Sequence, residues 1–378
     1  MADKNLNLSR AKAAKNDEFY TQYADIEREM NAYLDFDKDV FRDKTILLPC
    51  DDPEWSNFAR YFSQNFQRFG LKKLISTSYA LDSKPKELGL QPRDEETKHL
   101  RYDPKKAQAH GRVFTLTRDM TGDGKTNFQD LEWEYLNGDG DFRSAEVTAL
   151  RDEADIVITN PPFSLFREFL AWVVAANKKL AIIGNMNAIT YKEAFGLIKE
   201  EKLWIGATNF NVGMYFRVPD SFAYAETYKF ERERDGVKVS RVPGVCWFTS
   251  LDHGRRHEPL ALMTEADNIK FSKHKEIKGV GYKKYDNYDA IEVPFTDAIP
   301  NDHRGVMGVP ISFLSKYNPD QFEILGITQR NDDPHKTKRY TNDDYSNAND
   351  LNARAVVITD GIPRAMYARI LVRHKEGS

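Results

Sequence analysis

The segment "DIVITNPPFSLF", residues 155–166, opens as a buried strand and then breaks. Ile156, Val157 and Ile158 form the apolar run, and Asn160, Pro161, Pro162 and Phe163 end it. The Asn160 side chain supplies an acceptor oxygen. Proline has no N–H and a fixed φ, so Pro161 and Pro162 hold their carbonyls on a stiff backbone without competing local donors. Phe163 adds a flat apolar face. Two aimed acceptors beside a stacking face suit an exocyclic amine on a planar base. Accepting both amine hydrogens builds electron density on the nitrogen and lets it turn tetrahedral, freeing its lone pair to attack. This is stabilisation by fixed dipoles and positioning, with little need of an acid or base. A tight strand-to-helix turn is the plain alternative, and the α/β pattern around the segment favours chemistry.

Outward from this segment, strands and helices alternate. Upstream, "KTILLPCDDP" (44–53) reads as a strand, "EWSNFARYFSQNFQRFG" (54–70) as an amphipathic helix closed by Gly70, and "LKKLISTSYA" (71–80) as a second strand. Residues 17–33 have Phe19, Tyr23, Ile26 and Met30 at helical spacing. Residues 81–111 are polar and read as an insertion or mobile loop. Strands are expected over 112–117 and 131–136, and a short helix near 144–152. Downstream come a helix over 164–177, a strand over 178–187 and a helix over 190–202. The alternation from 44 to 207 predicts an open α/β sheet. Beyond 208 the segments are short, aromatic and turn-rich, so a boundary is expected there.

In an open parallel sheet, ligands bind beyond the carboxyl ends of the strands. Asp51 and Asp52 follow the first strand, Asp139 and Asp141 precede Phe142, and Asn160 follows "DIVIT". All three groups are expected at one edge.

Composition narrows the class. The apolar fraction of 40% fits a folded chain of 378 residues, long enough for more than one lobe. No apolar run reaches the roughly 18 residues of a membrane span, and the first residues lack a signal-peptide stretch. Two distant cysteines, Cys50 and Cys246, suit a reducing cytoplasm, and no Cys/His spacing points to a metal. Net charge is −3, but the charge is segregated. Residues 253–284 hold eight Lys/Arg against four Asp/Glu, and the first sixteen residues hold four against one. Residues 121–155 are acidic. Such segregation allows one face to bind a polyanion, although any single basic cluster also reads as solvated surface.

Asn-Pro-Pro-Phe after a strand resembles the catalytic motif of S-adenosylmethionine-dependent amino-methyltransferases. The chain as a whole resembles the EcoRI-type adenine-specific DNA methyltransferases. The matching segments run in the family's order: "KNDEFYTQYADIE", "CDDPEWSNFARYF", "FGLKKLI", "GDGDFRS", "DIVITNPPFSLFREFL", "ITYKEAFGLIKE", "KYDNYDAIEV", "GVMGVPISFLSKYNPDQFE" and "ARILVRHK". The resemblance implies an α/β, Rossmann-like S-adenosylmethionine-dependent methyltransferase sheet with a C-terminal target-recognition region. In that arrangement residues 1–43 are an N-terminal helical segment and 44–207 the catalytic domain with its insertion near 81–111. Residues 208–378 are the DNA-binding region, whose final strand returns to the core.

The resemblance also implies roles. Tyr20 and Thr21 fall in the N-terminal cofactor motif, and Asp51 and Asp52 in the first-strand motif, which here lacks the glycines usual in the superfamily. Asp141 and Phe142 fall where the cofactor's adenine is held, the acid accepting from its amine and the ring packing on it. Asn160, Pro161, Pro162 and Phe163 are catalytic. The product is N6-methyladenine, made on a base flipped from duplex DNA, without a metal. Arg255, Arg256, Lys283 and Lys284 are the expected DNA contacts, with Tyr282, Tyr285 and Tyr288 interleaved as stacking or wedge residues. A monomer is implied, with any partner restriction endonuclease acting independently; an orphan methylase is the other setting. The loops at 81–111 and 329–350 depart from the usual family pattern, which leaves the recognition sequence open. Two alternatives stand beside this reading. One is a same-fold enzyme acting on RNA adenine or a protein glutamine, and the other is a DNA-binding protein without catalysis.

Overall fold

A computed structural model describes residues 20–53, 56–80, 103–124, 126–218, 222–234, 236–329, 333–345 and 348–376. The N-terminal residues 1–19 and most of the expected insertion, 81–102, lie outside the described residues. The chain forms two compact units. One is Met1–Met186 with Ile205–His253; the other is Asn187–Trp204 with Gly254–Ser378. The boundary expected near 208 therefore falls inside the first unit.

The strands of the first unit are β1 (Tyr20–Thr21), β2 (Thr45–Leu48), β3 (Lys73–Ser78), β4 (Arg112–Leu116), β5 (Glu132–Tyr135), β6 (Ile156–Thr159), β7 (Lys179–Asn185), β8 (Trp204–Ile205), β9 (Met214–Arg217), β10 (Glu233–Arg234), β11 (Val237–Val242) and β12 (Val245–Thr249). The main sheet has the order β5-β4-β3-β2-β6-β7-β12-β8. Its centre, β3-β2-β6-β7, is parallel, while β4 pairs antiparallel with β3, β5 antiparallel with β4, and β12 antiparallel with β7. The fold is mixed α/β rather than all parallel. All four residues of β2 and all four of β6 are buried, as central strands of such a sheet require.

The helices match the apolar spacing with shifted ends. The N-terminal helix spans Tyr23–Phe36 and buries Ile26, Met30 and Tyr33; it starts later than predicted because Tyr20–Thr21 is a strand. The helix predicted over 54–70 is Asn57–Gln64, capped by Ser56, then a turn Phe66–Phe69 ended by Gly70 at φ 63°. Strand β12 accounts for the misplaced boundary. It pairs antiparallel with β7, all five of its residues are buried, and Trp247 lies edge-on to Phe58 at 5.9 Å. Its sequence, "VCWFT", has no alternation to mark it as a strand of the main sheet.

Glu29 ties the N-terminal helix to the turn after β8. Its carboxylate is fully buried and accepts four hydrogen bonds: from Tyr33 Oη at 2.6 Å, Ala207 N at 2.8 Å, Thr208 N at 2.8 Å and Thr208 Oγ1 at 2.5 Å. Burial raises its pKa, and these donors oppose the rise. A Cβ at Gly206 would collide with this carboxylate and with Trp247.

The second unit has its own sheet. It contains β13 (Lys283–Lys284), β14 (Ala290–Glu292), β15 (Val306–Pro310), β16 (Phe322–Ile327) and β19 (Arg369–His374), in the order β13-β14-β15-β19-β16. Strand β19 was expected to return to the catalytic core. It pairs instead with β15 and β16, where Ile370, Leu371 and Val372 are buried. Strands β17 (Val356–Thr359) and β18 (Ile362–Ala365) form a separate hairpin.

Glu29→Ala should leave buried donors unsatisfied and cost at least about 3 kcal/mol of stability. Urea unfolding measures this, and a loss below about 1 kcal/mol would show that the tie is dispensable.

Candidate active site

The order β3-β2-β6-β7 has a topological switch between β2 and β6. From β2 the chain moves outward to β3, then returns to the other side of β2 as β6. Crevices beyond the carboxyl ends at such a switch are where open α/β sheets bind ligands. Here those ends carry Asp51 and Asn160.

Asp51 joins the two ends. Its side chain is buried and accepts from Thr159 Oγ1 at 2.5 Å and from Ser56 Oγ at 2.6 Å. Thr159 is the residue before Asn160, and Ser56 caps the helix that follows β2. Thr159 Oγ1 also lies 2.7 Å from the Pro49 carbonyl, and Ser76 Oγ bonds the Asp51 carbonyl. Cys50 turns the chain here at φ 75°, a left-handed conformation usual for glycine. The turn thus has a glycine's geometry without a glycine. Asp52 faces a different partner: its carboxylate pairs at 3.3 Å with buried Arg112, whose guanidinium lies over Phe114 and Trp133.

The Asp139–Phe142 turn reaches the same edge. Ala80 N, just past β3, bonds the Asp139 carbonyl at 2.8 Å. Gly140 sits at φ +91°, and a Cβ there would collide with the Ser78 carbonyl, so only glycine allows this approach. Arg143 grips the Asp141 carboxylate with Nε at 2.9 Å and Nη2 at 2.7 Å, and its backbone N at 2.8 Å. These hydrogen bonds hold the Asp141 pKa below the usual carboxylate range. Phe142 differs from expectation. Its ring is fully buried, edge-on to Phe169 at 5.1 Å and to Trp172 at 5.5 Å, so it packs under the turn.

The Asn160–Phe163 turn also refines the sequence reading. Asn160 Oδ1 is buried, and Pro161 is buried. The Pro162 carbonyl accepts from Leu165 N at 3.0 Å and closes the 3₁₀ turn Phe163–Leu165. The two prolines are therefore not equivalent acceptors: Pro162 shapes the turn. Phe163 is half-buried and meets Phe216 of β9 edge-on, centroids 6.4 Å apart. β9 pairs with β1, Thr21 opposite Phe216 and Tyr20 opposite Arg217. Tyr20 and Thr21 are thus linked to the Asn160–Phe163 turn through one strand. Asn57 Nδ2 holds the Thr21 carbonyl at 2.7 Å.

The expected DNA contacts lie in the second unit and divide. Arg255 is exposed. Arg256 is not available as a surface cation: it is 10% exposed, pairs with Glu201 at 3.2 Å and covers Trp204 at 4.1 Å. Lys283 and Lys284 are exposed on β13. The tyrosines among them are mostly structural. Tyr285 and Tyr288 are buried and donate to Glu292 and Asp333, and the Tyr282 hydroxyl donates to the Ala298 carbonyl. Aromatics in a basic segment suggested stacking, but burial claimed them.

A cationic–aromatic array in the first unit had no counterpart in the sequence reading. Arg234 lies over Tyr215 at 4.2 Å, Arg241 over Phe230 at 4.3 Å and Arg232 over Tyr224 at 4.9 Å. It lies on the β1-β9-β11-β10 sheet and on the segment preceding it. The signal was present in "YAETYKFERERDGVKVSR", where rings and cations alternate. Among the described residues no group of His, Cys, Asp and Glu is arranged to hold a metal, and no helix is long and apolar enough to cross a membrane.

Comparison with known proteins gives the family. The family model for the adenine-specific methyltransferase EcoRI matches residues 7–375. The chain is 41% identical over 320 residues to the type II methyltransferase M.EcoRI of Escherichia coli, covering 84% of this chain and 88% of that protein. It is 34% identical over 319 residues to M.MpnI of Mycoplasma pneumoniae, covering 84% of each. It is 35% identical over 321 residues to M.MgeORF184P of Mycoplasma genitalium, covering 84% and 85%. No solved structure gives a significant match. The chain belongs to the EcoRI family of adenine-specific DNA methyltransferases.

Proposed function

We propose that the chain transfers a methyl group from S-adenosylmethionine to the N6 amine of an adenine flipped out of duplex DNA. The first unit serves as a Rossmann-like methyltransferase domain, and the second contributes target recognition. The setting is a restriction–modification system or an orphan methylase. By family analogy the enzyme acts as a monomer, and any cognate endonuclease acts independently. The observation that carries the reading is the Asn160–Phe163 turn at the switch between β2 and β6, with Asp51 pinning it.

The residues at this edge suit the cofactor. Thr21 Oγ1 and Ser78 Oγ are buried and have no hydrogen-bond partner among the described residues, an arrangement that favours a polar ligand. Asp141, held ionised by Arg143, would accept from the cofactor's adenine amine. Phe142 would support that contact from below rather than stack on the ring. Asp51 already accepts two hydroxyls, so its role toward the ammonium is to orient the turn and supply negative charge. When bound, S-adenosylmethionine supplies an electrophilic methyl group.

The chain's own residues prepare the nucleophile. Asn160 Oδ1 and the Pro161 carbonyl accept the two hydrogens of the target amine, and Phe163 packs against the base. As the N–CH₃ bond forms and the methyl–sulfur bond breaks, its electron pair going to sulfur, which leaves as a neutral thioether, these fixed dipoles would stabilise the positive charge growing on nitrogen. The proton then leaves to solvent. Exposed cations near the turn, Arg217 among them, suit phosphate contacts.

Asn160→Ala should lower the rate of labelled-methyl incorporation into unmethylated plasmid by at least about a hundredfold. Cofactor binding, followed by equilibrium dialysis, should stay within a few-fold of wild type. Near-normal turnover would refute the mechanism. Asp141→Ala should weaken cofactor affinity about tenfold, the cost of one charge-assisted hydrogen bond; an unchanged affinity would remove it from the site. Arg256→Gln should lower the thermal midpoint while leaving the salt dependence of DNA binding unaltered. A flatter salt slope would show that Arg256 does contact phosphate.

A further inference from the structure

Among the described residues the hairpin β17–β18 pairs with no other strand. Its base is anchored, with Val356 and Val357 buried in two small clusters of the second unit. Its tip is not. Ile358 is 41% exposed and Ile362 58% exposed, on either side of Asp360 and Gly361. Those two residues have φ of 53° and 75°, the two positive values of a tight type I′ turn. Such a turn makes a short, twisted, stiff ribbon. Two large aliphatic side chains at the end of a stiff ribbon contribute nothing to the core.

Charge surrounds this apolar tip. Lys283 Nζ bonds Thr359 Oγ1 at 3.2 Å, Lys284 follows it on β13, and Arg364 is exposed on β18. Register puts Thr359 opposite Ile362 and Val357 opposite Arg364, so Ile362 and Arg364 share a face. Ile358 lies on the other face with Pro363, its partner. An apolar tip flanked by cations matches a polyanion whose interior is apolar and whose rim is charged. A DNA groove has that character: thymine methyls and base edges on its floor, phosphates along its sides. The size agrees. Two strands about 4.8 Å apart with their side chains fit a major groove roughly 12 Å wide, which admits a two-stranded ribbon.

We infer that the β17–β18 hairpin enters the major groove of the target duplex and reads base edges. Ile362, on the face that carries Arg364, packs on base methyls, Ile358 on the opposite face packs on the sugars of the groove wall, and the Asp360 carboxylate accepts from a cytosine or adenine amine. Lys283, Lys284 and Arg364 hold the flanking phosphates. This rests on the reading that duplex DNA is the substrate and assigns part of its recognition to a named element.

The test uses the full chain, unmethylated plasmid and labelled S-adenosylmethionine, with base-resolved mapping of the product. The variants are Ile358→Ser/Ile362→Ser and Asp360→Asn, all at exposed positions, with thermal melts to verify folding. The double variant should raise the KM for plasmid about tenfold or more, with a smaller fall in kcat. Asp360→Asn should methylate additional sites that differ from the wild-type site at one base pair. Wild-type KM and an unchanged site map in all variants would overturn the inference while leaving the DNA reading intact. A double variant that changes only self-association would assign the hairpin to a second copy of this chain and also overturn it. A wild-type chain that leaves plasmid unlabelled would remove the DNA reading, and the hairpin's role with it.

Discussion

The buried carboxylate of Asp51 holds the ends of β2 and β6 together. It accepts from Thr159 on β6 and from Ser56 at the start of the helix after β2. Two neighbouring parallel strands end in loops that diverge, and nothing in the ladder fixes those loops to each other. Asp51 does so through the hydrogen bond from Thr159, in a region shielded from water where such bonds are strong, while Ser56 holds the carboxylate in place. Thr159 is bound immediately before Asn160, so the tie sets where the Asn160–Phe163 turn begins. The adjoining Cys50 turn, which takes a left-handed conformation with a side chain present, is flanked by the bonds of Thr159 Oγ1 to the Pro49 carbonyl and of Ser76 Oγ to the Asp51 carbonyl. Strain of this kind persists where surrounding contacts over-determine it, and it gathers at functional sites.

From that tie the site extends by contact. Pro162 closes the turn after Asn160, and Phe163 rests on Phe216. Phe216 belongs to β9, which holds β1, so the N-terminal motif is fixed to the same framework. Glu29 secures the helix after β1 to the turn that leads toward β9. On the other side, Gly140 lets the Asp139–Phe142 turn press against the end of β3. Each part is held by a polar tie or a close backbone approach rather than by loop chance, as sub-ångström positioning requires.

Much of this was legible in the sequence because it follows local rules. The apolar runs 45–48 and 156–158, the Gly70 stop and the Asn-Pro-Pro-Phe break announced their structures directly. The carboxyl-edge cluster followed from strand polarity alone. What could not be read depended on pairing or burial at long range. β12 lies in the main sheet because its five buried residues find β7 more than sixty positions upstream. β19 stays in the second unit because its partners are β15 and β16. Tyr285, Tyr288 and Arg256 looked like surface chemistry from their basic neighbours, yet the two tyrosines donate to buried carboxylates and Arg256 pairs with Glu201 and lies over Trp204. The rings and guanidiniums of 215–241 were equally visible in the sequence, but only the sheet register brings Arg234 over Tyr215.

Base-resolved mapping of wild-type product tests the central claim most directly. Unmethylated plasmid is incubated with the full chain and S-adenosylmethionine, and every modified base is identified. Methyl groups are expected on the N6 of one adenine within one short sequence motif, and on no cytosine. Methyl groups on cytosine, or an unmodified plasmid with modified RNA or protein glutamine instead, would contradict that claim.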